Sequence, residues 1–162
     1  MALKSDRNEA ATDISFFYNT AVATRGGVVV LDSTNASGAA MDQGVNLVKY
    51  AAATTSSVPV GILMNDVVNK DLTRTHLNQH KDEVQLGGKV TLLTQGWVLT
   101  SNITGSPTAG NLAYACQITA GNIATSGYGG DSTGKTVIGR FMSKKDTDGY
   151  AKVFINLPNT NV

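Results

Sequence analysis

The sequence contains little cysteine, little proline and little charge, and these scarcities exclude several classes of protein. Its 162 residues include one cysteine, Cys116, so an intrachain disulfide and a cysteine-based zinc site are both excluded. Charged residues make up 15% of the chain and the formal net charge is +1, which provides no basic footprint for a nucleic acid. No apolar run is long enough to cross a membrane, and the N-terminus lacks a signal-peptide core. We therefore expect a chain made in a cytoplasm, with neither nucleic acid nor membrane as a partner.

Charge is missing altogether from one long segment of the chain. No Asp, Glu, Lys or Arg occurs between Val90 and Gly130. One interpretation is a Thr/Asn/Gly-rich β surface that faces solvent. The other is a protein–protein interface, because the core of an interface is depleted in charge. The second interpretation predicts that the chain self-associates through part of this segment.

What the chain does contain is typical of strands and turns. It has 17 glycines, and Thr and Asn are also frequent. The length predicts one domain. Short apolar runs separated by turn signals predict an all-β sandwich or barrel, with Gln95-Gly96 as one of the turns. The charged segment 67–83 is predicted to be a long exposed loop. The runs that we interpret as strands include Val28–Leu31, Val58–Met64, Lys89–Leu93, Leu112–Cys116, Lys135–Met142 and Tyr150–Leu157.

Residues 1–24 differ from the rest and are predicted to form an extended N-terminal arm on a barrel-like domain of residues 25–162. The arm is polar but contains Phe16, Phe17 and Tyr18, which a frayed terminus would seldom keep. In an extended chain, Phe16 and Phe17 point to opposite faces. Such an arm can add a strand to the sheet edge of a partner. The hypothetical contact residues are therefore Arg7, Phe16, Phe17 and Tyr18; the alternative is that the arm packs on its own domain.

Three sequence motifs resemble catalytic or binding sites, but each lacks a feature that the chemistry of such a site requires. The segment Gly129–Thr136 fits the phosphate-binding pattern G-x-x-x-x-G-K-[ST], but the β-branched residues that follow do not form a helical face. His76 and His80 are four residues apart, yet Leu77 stands where a zinc protease needs its glutamate. Cys116 lies in an apolar run and is predicted to be a buried, inert thiol. We therefore predict no catalytic residue, no cofactor and no metal.

The order of glycine-containing strand motifs in the second half is the most specific signal in the sequence. In chain order the motifs are Pro59–Met64, Gly87–Leu93, Gly96–Val98, Ala109–Tyr114, Gly121–Ile123, Val137–Phe141 and Tyr150–Leu157. This pattern, from Val58 to Leu157, resembles the decoration (cement) proteins of tailed-phage capsids. Gly110-Asn111 replaces the Gly-Asp turn of that family, and the 67–83 loop is longer than the resemblance implies.

The resemblance implies a small β-barrel or β-tulip domain without enzymatic activity. It also implies a homo-oligomer, with a trimer favoured, that binds the outer surface of the virion and bridges neighbouring major capsid protein subunits after synthesis in the host cytoplasm. An alternative is a head-surface module that contacts a host glycan or receptor. Carbohydrate sites usually expose aromatic side chains, and Trp97, the only tryptophan, is predicted to lie in a core strand.

Overall fold

The described part of the chain is built from strands. The computed structural model describes residues 2–20, 23–32, 46–51, 58–66, 83–84, 86–116, 118–125 and 136–157, and all regular elements in these ranges are strands. The all-β prediction is confirmed. In chain order the strands are β1 (Leu3–Asp13), β2 (Phe17–Tyr18), β3 (Ala23–Thr24), β4 (Val28–Leu31), β5 (Leu47–Tyr50), β6 (Pro59–Asp66), β7 (Glu83–Val84), β8 (Val90–Thr100), β9 (Ile103–Thr104), β10 (Leu112–Ala115), β11 (Ile123–Ala124), β12 (Val137–Phe141) and β13 (Ala151–Asn156).

Two regions that the sequence singled out lie outside the described residues. They are most of the 67–83 loop, with His76 and His80, and the glycine-rich segment 126–135. A search of the described residues for a helix with the length and hydropathy of a membrane span finds none.

The main sheet is mixed and open. Eleven strands pair in the order β2-β5-β4-β6-β8-β13-β12-β10-β11-β9, with β1 added on β8, and β3 pairs with β7 in a small second sheet. The predicted barrel-like domain is an open sheet that does not close into a barrel, because β2 and β9 do not pair with each other in the described structure. The outer edge of β2 is covered instead by a loop: Tyr18 N–H donates to Gly88 O at 2.9 Å, and Gly87 N–H donates to Tyr18 O at 2.8 Å.

Strand β8 joins the two halves of this sheet. On one edge, β6 pairs with Val90–Leu93 and β13 pairs with Gln95–Thr100. On the other edge, β1 pairs with β8 from Leu92 to Thr100. We call β2, β5, β4 and β6 the first half, and β13, β12, β10, β11 and β9 the second half.

The predicted turn at Gln95-Gly96 is wrong, because β8 runs straight through it. Gly96 serves a close approach of backbones instead. A Cβ at this position would lie 2.0 Å from Asn8 O, and the residue has a φ of +142°. The glycine lets β1 approach β8 at a point where a side chain would push it away.

The core fills the space between the two halves. Val28, Val30 and Ile62 from the first half pack with Val153 and Ile155 from the second half. A second cluster lies on the opposite face of the first half, where Val29, Leu63 and Leu92 pack with Tyr18. Strand residues alternate between faces, so a strand buried on both faces is apolar throughout. This accounts for the apolar run Val28–Val30, whereas Leu31 at the end of β4 is 45% exposed.

Tyr50 ties the halves together at one end of the core. Its ring fits between two glycines: a Cβ at Gly121 would lie 2.6 Å from the ring, and a Cβ at Gly27 would lie 2.8 Å from it. The Tyr50 hydroxyl donates to the carbonyl of Thr24. Gly121 also bonds both neighbouring strands, since its N–H donates to Ala51 O at 3.0 Å and its carbonyl accepts from Val28 N–H at 2.7 Å.

The burial of Tyr50 predicts a loss of stability in alkali. Burial raises the pKa of its phenol well above the ordinary value of about 10, and repulsion from Tyr18 adds to the shift. The unfolded chain loses this proton near pH 10 while the folded chain keeps it, so the free energy of unfolding falls as pH rises above about 10. We expect the free energy of unfolding of Tyr50→Phe, measured by denaturant titrations between about pH 9 and 11, to fall less steeply with pH than that of the wild type. Equal slopes for the two proteins would contradict this account.

Candidate interaction surfaces

The N-terminal segment is an extended strand that lies on the chain's own sheet. β1 runs antiparallel to β8, with Asn8 opposite Trp97. Its first residues are anchored: Leu3 is buried, and the ammonium of Lys4 lies 3.2 Å from a carboxylate oxygen of Asp146 and 4.2 Å from the centroid of the Tyr150 ring. Most of the other β1 side chains are exposed. The segment therefore forms an edge strand of the sheet. Its charged side chains and register shifts hinder pairing of this exposed edge with a strand from another molecule.

The structure separates the four hypothetical contact residues. Arg7 is on β1 and forms an ion pair with Glu9. Phe16 and Phe17 are half-buried; Phe16 packs against the second core cluster, and the ammonium of Lys89 lies 5.9 Å from the Phe17 ring centroid. Tyr18 is only 1% exposed and stacks edge-on against the Tyr50 ring, with 6.1 Å between centroids. Tyr18 thus acts inside the chain, while capsid contact by Arg7, Phe16 and Phe17 stays a prediction.

The charge-free segment has two structural parts. Val90–Thr100 is β8, which has partners on both edges and contributes Leu92, Leu93 and Val98 to the core. Charge is absent from this part because the strand is built into its own sheet. Exposed apolar residues occur in the later part, where Leu112 is 37% and Ile118 58% exposed. Self-association through part of this segment stays a prediction.

A row of side chains crosses the second half on the face that points away from the core. Directly paired residues are Trp97 with Phe154, Phe154 with Arg140, and Arg140 with Leu112. Asn8 of β1 pairs with Trp97 at the other end of the row. Paired residues lie on the same face, and strands are about 4.8 Å apart, so the row spans about 19 Å over five strands.

A second row lies beside the first. Lys152 pairs with Leu99, and Met142 N–H donates to the carbonyl of Lys152 at 2.8 Å. The ammonium of Lys152 lies 3.6 Å from the centroid of the Trp97 ring, a cation–π contact that joins the rows. We call the combined surface the outer face. Its residues are Gln95, Trp97, Leu99, Leu112, Arg140, Met142, Lys152, Phe154 and Asn156.

The chemistry of the outer face is typical of an interface. Met142 is 52%, Phe154 38% and Leu112 37% exposed, and Trp97 is partly exposed. Its charges are those of Arg140 and Lys152, and none of the nine outer-face residues just named carries a carboxylate. Aromatic residues, Met and Arg are enriched in protein interfaces. The geometry therefore indicates an apolar binding surface with positive charge.

Sequence reasoning missed this surface. Trp97 was predicted to lie in a core strand, and β8 is such a strand, but Val98 takes the core position and Trp97 faces outward. Phe154 lies between Val153 and Ile155, which are both buried. Lys152 and Asn156, two positions away on either side, are polar and share the face of Phe154, so period-2 alternation was the signal that could have placed Phe154 on the outward face.

The motifs of catalytic type do not assemble into a site in the described structure. Strand β12 begins immediately after Thr136, where a phosphate-binding loop requires a helix. Cys116 is buried, and its sulfur accepts N–H groups from Ile118 and Thr119, each at 3.4 Å. The described residues contain no cluster of three or more His, Cys, Asp or Glu side chains that could hold a metal ion.

Comparison with known proteins points to a single class. A family model described as a structural cement protein of phages (E217 gp24/Pam3 gp6) matches residues 8–156. A chain in a structure titled "The capsid of Myoviridae Phage XM1" is similar in fold, with a TM-score of 0.51 and 14% sequence identity, and the match covers 94% of this chain and 85% of that chain. No curated protein matches the chain.

Proposed function

Because the chain belongs to the phage structural cement proteins, we propose that it decorates the outer surface of a phage capsid and stabilises it by bridging major capsid protein subunits. The observation that carries this proposal is the family match over residues 8–156, which includes the whole outer face. A net charge of +1 suits an outer surface better than contact with packaged DNA. The chain acts by binding, without catalysis, and reaches the capsid after synthesis in the host cytoplasm.

Binding stabilises the capsid by linkage. A ligand that binds only the mature lattice lowers the free energy of that lattice, by about 2.7 kcal/mol per site at a free concentration of 100 times Kd. A capsid offers many equivalent sites, so a modest contact repeated over the lattice gives a large total effect. A ligand that spans two subunits additionally resists their separation.

Self-association would multiply these contacts, and we propose that the chain is a homo-oligomer, with a trimer favoured. Ile118, which is 58% exposed and lies in the later part of the charge-free segment outside the outer face, supports such a contact. Closed symmetric assemblies are the usual form of soluble oligomers. Sedimentation velocity over a hundredfold concentration range, with and without capsids, measures this directly, and a monomer under all conditions would contradict it.

The alternative function is a head-surface module that contacts a host glycan or receptor. The outward position of Trp97 favours it, because aromatic rings stack on sugars. However, Lys152 covers one face of this ring at 3.6 Å. Thermal-shift measurements against a glycan panel separate the two functions: stabilisation by a glycan supports the alternative, and stabilisation by capsids alone supports the cement function.

We expect the purified chain to co-sediment with mature capsids that lack it and to raise their melting temperature. Capsids in the unexpanded form provide the matched control, and binding to them should be weaker because the lattice geometry differs. Differential scanning calorimetry of decorated and bare capsids measures the stabilisation. Absence of co-sedimentation at micromolar protein would contradict the proposed function.

A further inference from the structure

We propose that the outer face, where Phe154 lies between Trp97 and Arg140, is the surface that docks on the capsid. The inference rests on the proposed function and adds the chemistry of the partner. That partner is a patch of capsid protein in which carboxylates surround apolar side chains.

The first argument is the rigidity of the surface. Phe154, Trp97 and Arg140 are held on three paired strands, so little backbone order has to be gained on binding. Phe154 is central in the row and 38% exposed, which leaves ring surface for a partner. Aromatic and arginine side chains near the centre of an interface are the residues that most often dominate its affinity.

The second argument is charge. Arg140 and Lys152 are the charged members of the outer face. Exposed carboxylates of the described chain lie on β1, which borders this face along β8, and in the turn at Asp146 and Asp148. The side chain of Arg140 is oriented by a hydrogen bond to Gly110 O. A face with positive charge and no negative charge complements a partner that presents carboxylates.

The same charges disfavour a two-fold contact with a second copy of this chain through the outer face. A two-fold contact places the same patch on both subunits, so Arg140 and Lys152 of one copy would meet those of the other. Like charges at close range oppose association. The capsid protein is therefore the occupant that the charge distribution supports.

The test compares three outer-face variants with one matched control for binding to mature capsids. Phe154→Ala, Arg140→Glu and Met142→Glu alter the outer face. Leu86→Glu is the control for Met142→Glu, because the two side chains are 50% and 52% exposed and Leu86 precedes the Gly87-Gly88 loop on the edge of β2, away from the outer face. Circular dichroism and melting curves establish that each variant is folded.

We expect each outer-face variant to bind mature capsids at least about tenfold more weakly, while Leu86→Glu binds like the wild type. Wild-type affinity should fall as salt is raised, and Arg140→Glu should reduce this dependence. If the wild type binds and the folded outer-face variants bind equally well, the inference is wrong and the proposed function stands. If the wild type does not bind, both are wrong. If the variants abolish only self-association, the face is a contact between copies and the inference is also wrong.

Discussion

Replacing Gly139 by alanine is expected to cost about 3 kcal/mol or more of the free energy of unfolding. Gly139 lies in β12, with Ile155 opposite on one side and Ala113 on the other. A Cβ at Gly139 would lie 1.8 Å from Phe154 O and 3.1 Å from the Cα of Ile155. Both are backbone atoms and cannot rotate away, so β12 and β13 would have to separate.

Thermal unfolding measures this loss. A cost of about 3 kcal/mol corresponds to a fall of roughly 6–12 °C in Tm for a chain of this size. Gly149→Ala is the control, because Gly149 has a φ of +85° but nothing within 4 Å of the added Cβ. The control should lose only about 1–2 kcal/mol from backbone strain. Equal losses for the two variants would show that the close approach of β12 and β13 is not what requires glycine.

Deletion of residues 2–18 is expected to prevent stable folding. An arm that only docked on a partner would leave the body folded without it, whereas the structure builds this segment into the sheet. The deletion removes β1 from the edge of β8 and takes Leu3 and Tyr18 out of the core. It thereby exposes a row of backbone groups, which invites aggregation.

The deletion should be compared with Arg7→Ala in the full chain. Arg7 is on the surface and pairs with Glu9, and a surface ion pair contributes about 0–1 kcal/mol, so this variant should melt close to the wild type. Solubility, circular dichroism and melting curves measure both proteins. A deleted chain that stays soluble and melts within about 3 °C of the wild type would show that the arm is not part of the folded body. A fall of this size in Tm corresponds to a loss of about 1 kcal/mol in the free energy of unfolding.

Strands with strong local signals could be predicted from the sequence. The run Val28–Leu31 coincides with β4, and Tyr150–Leu157 contains β13. In both, β-branched or aromatic residues are bounded by turn residues, although Leu31 and Phe154 are exposed. Local pattern therefore sufficed for the fold class and for much of the second half.

Strand β1 could not be recognised in this way, because its stability comes from distant residues. Most of the side chains of Leu3–Asp13 are exposed, so no apolar alternation marks the strand. It is held by pairing with β8, about ninety positions away in the sequence. The turn predicted at Gly96 was wrong for a related reason. A glycine is required there because β1 approaches closely, and the chain does not reverse at this point. Pairing between distant segments leaves little trace in the residues themselves.

A cryo-electron microscopy map of mature capsids saturated with this protein tests the account most directly. The predicted result is an outer-surface density in which β8, β13, β12 and β10 face the capsid. Phe154 should lie against apolar side chains, and Arg140 should lie within about 4 Å of a capsid carboxylate. A map in which the outer face points to solvent, with the capsid contacted from another side of the molecule, would contradict the account.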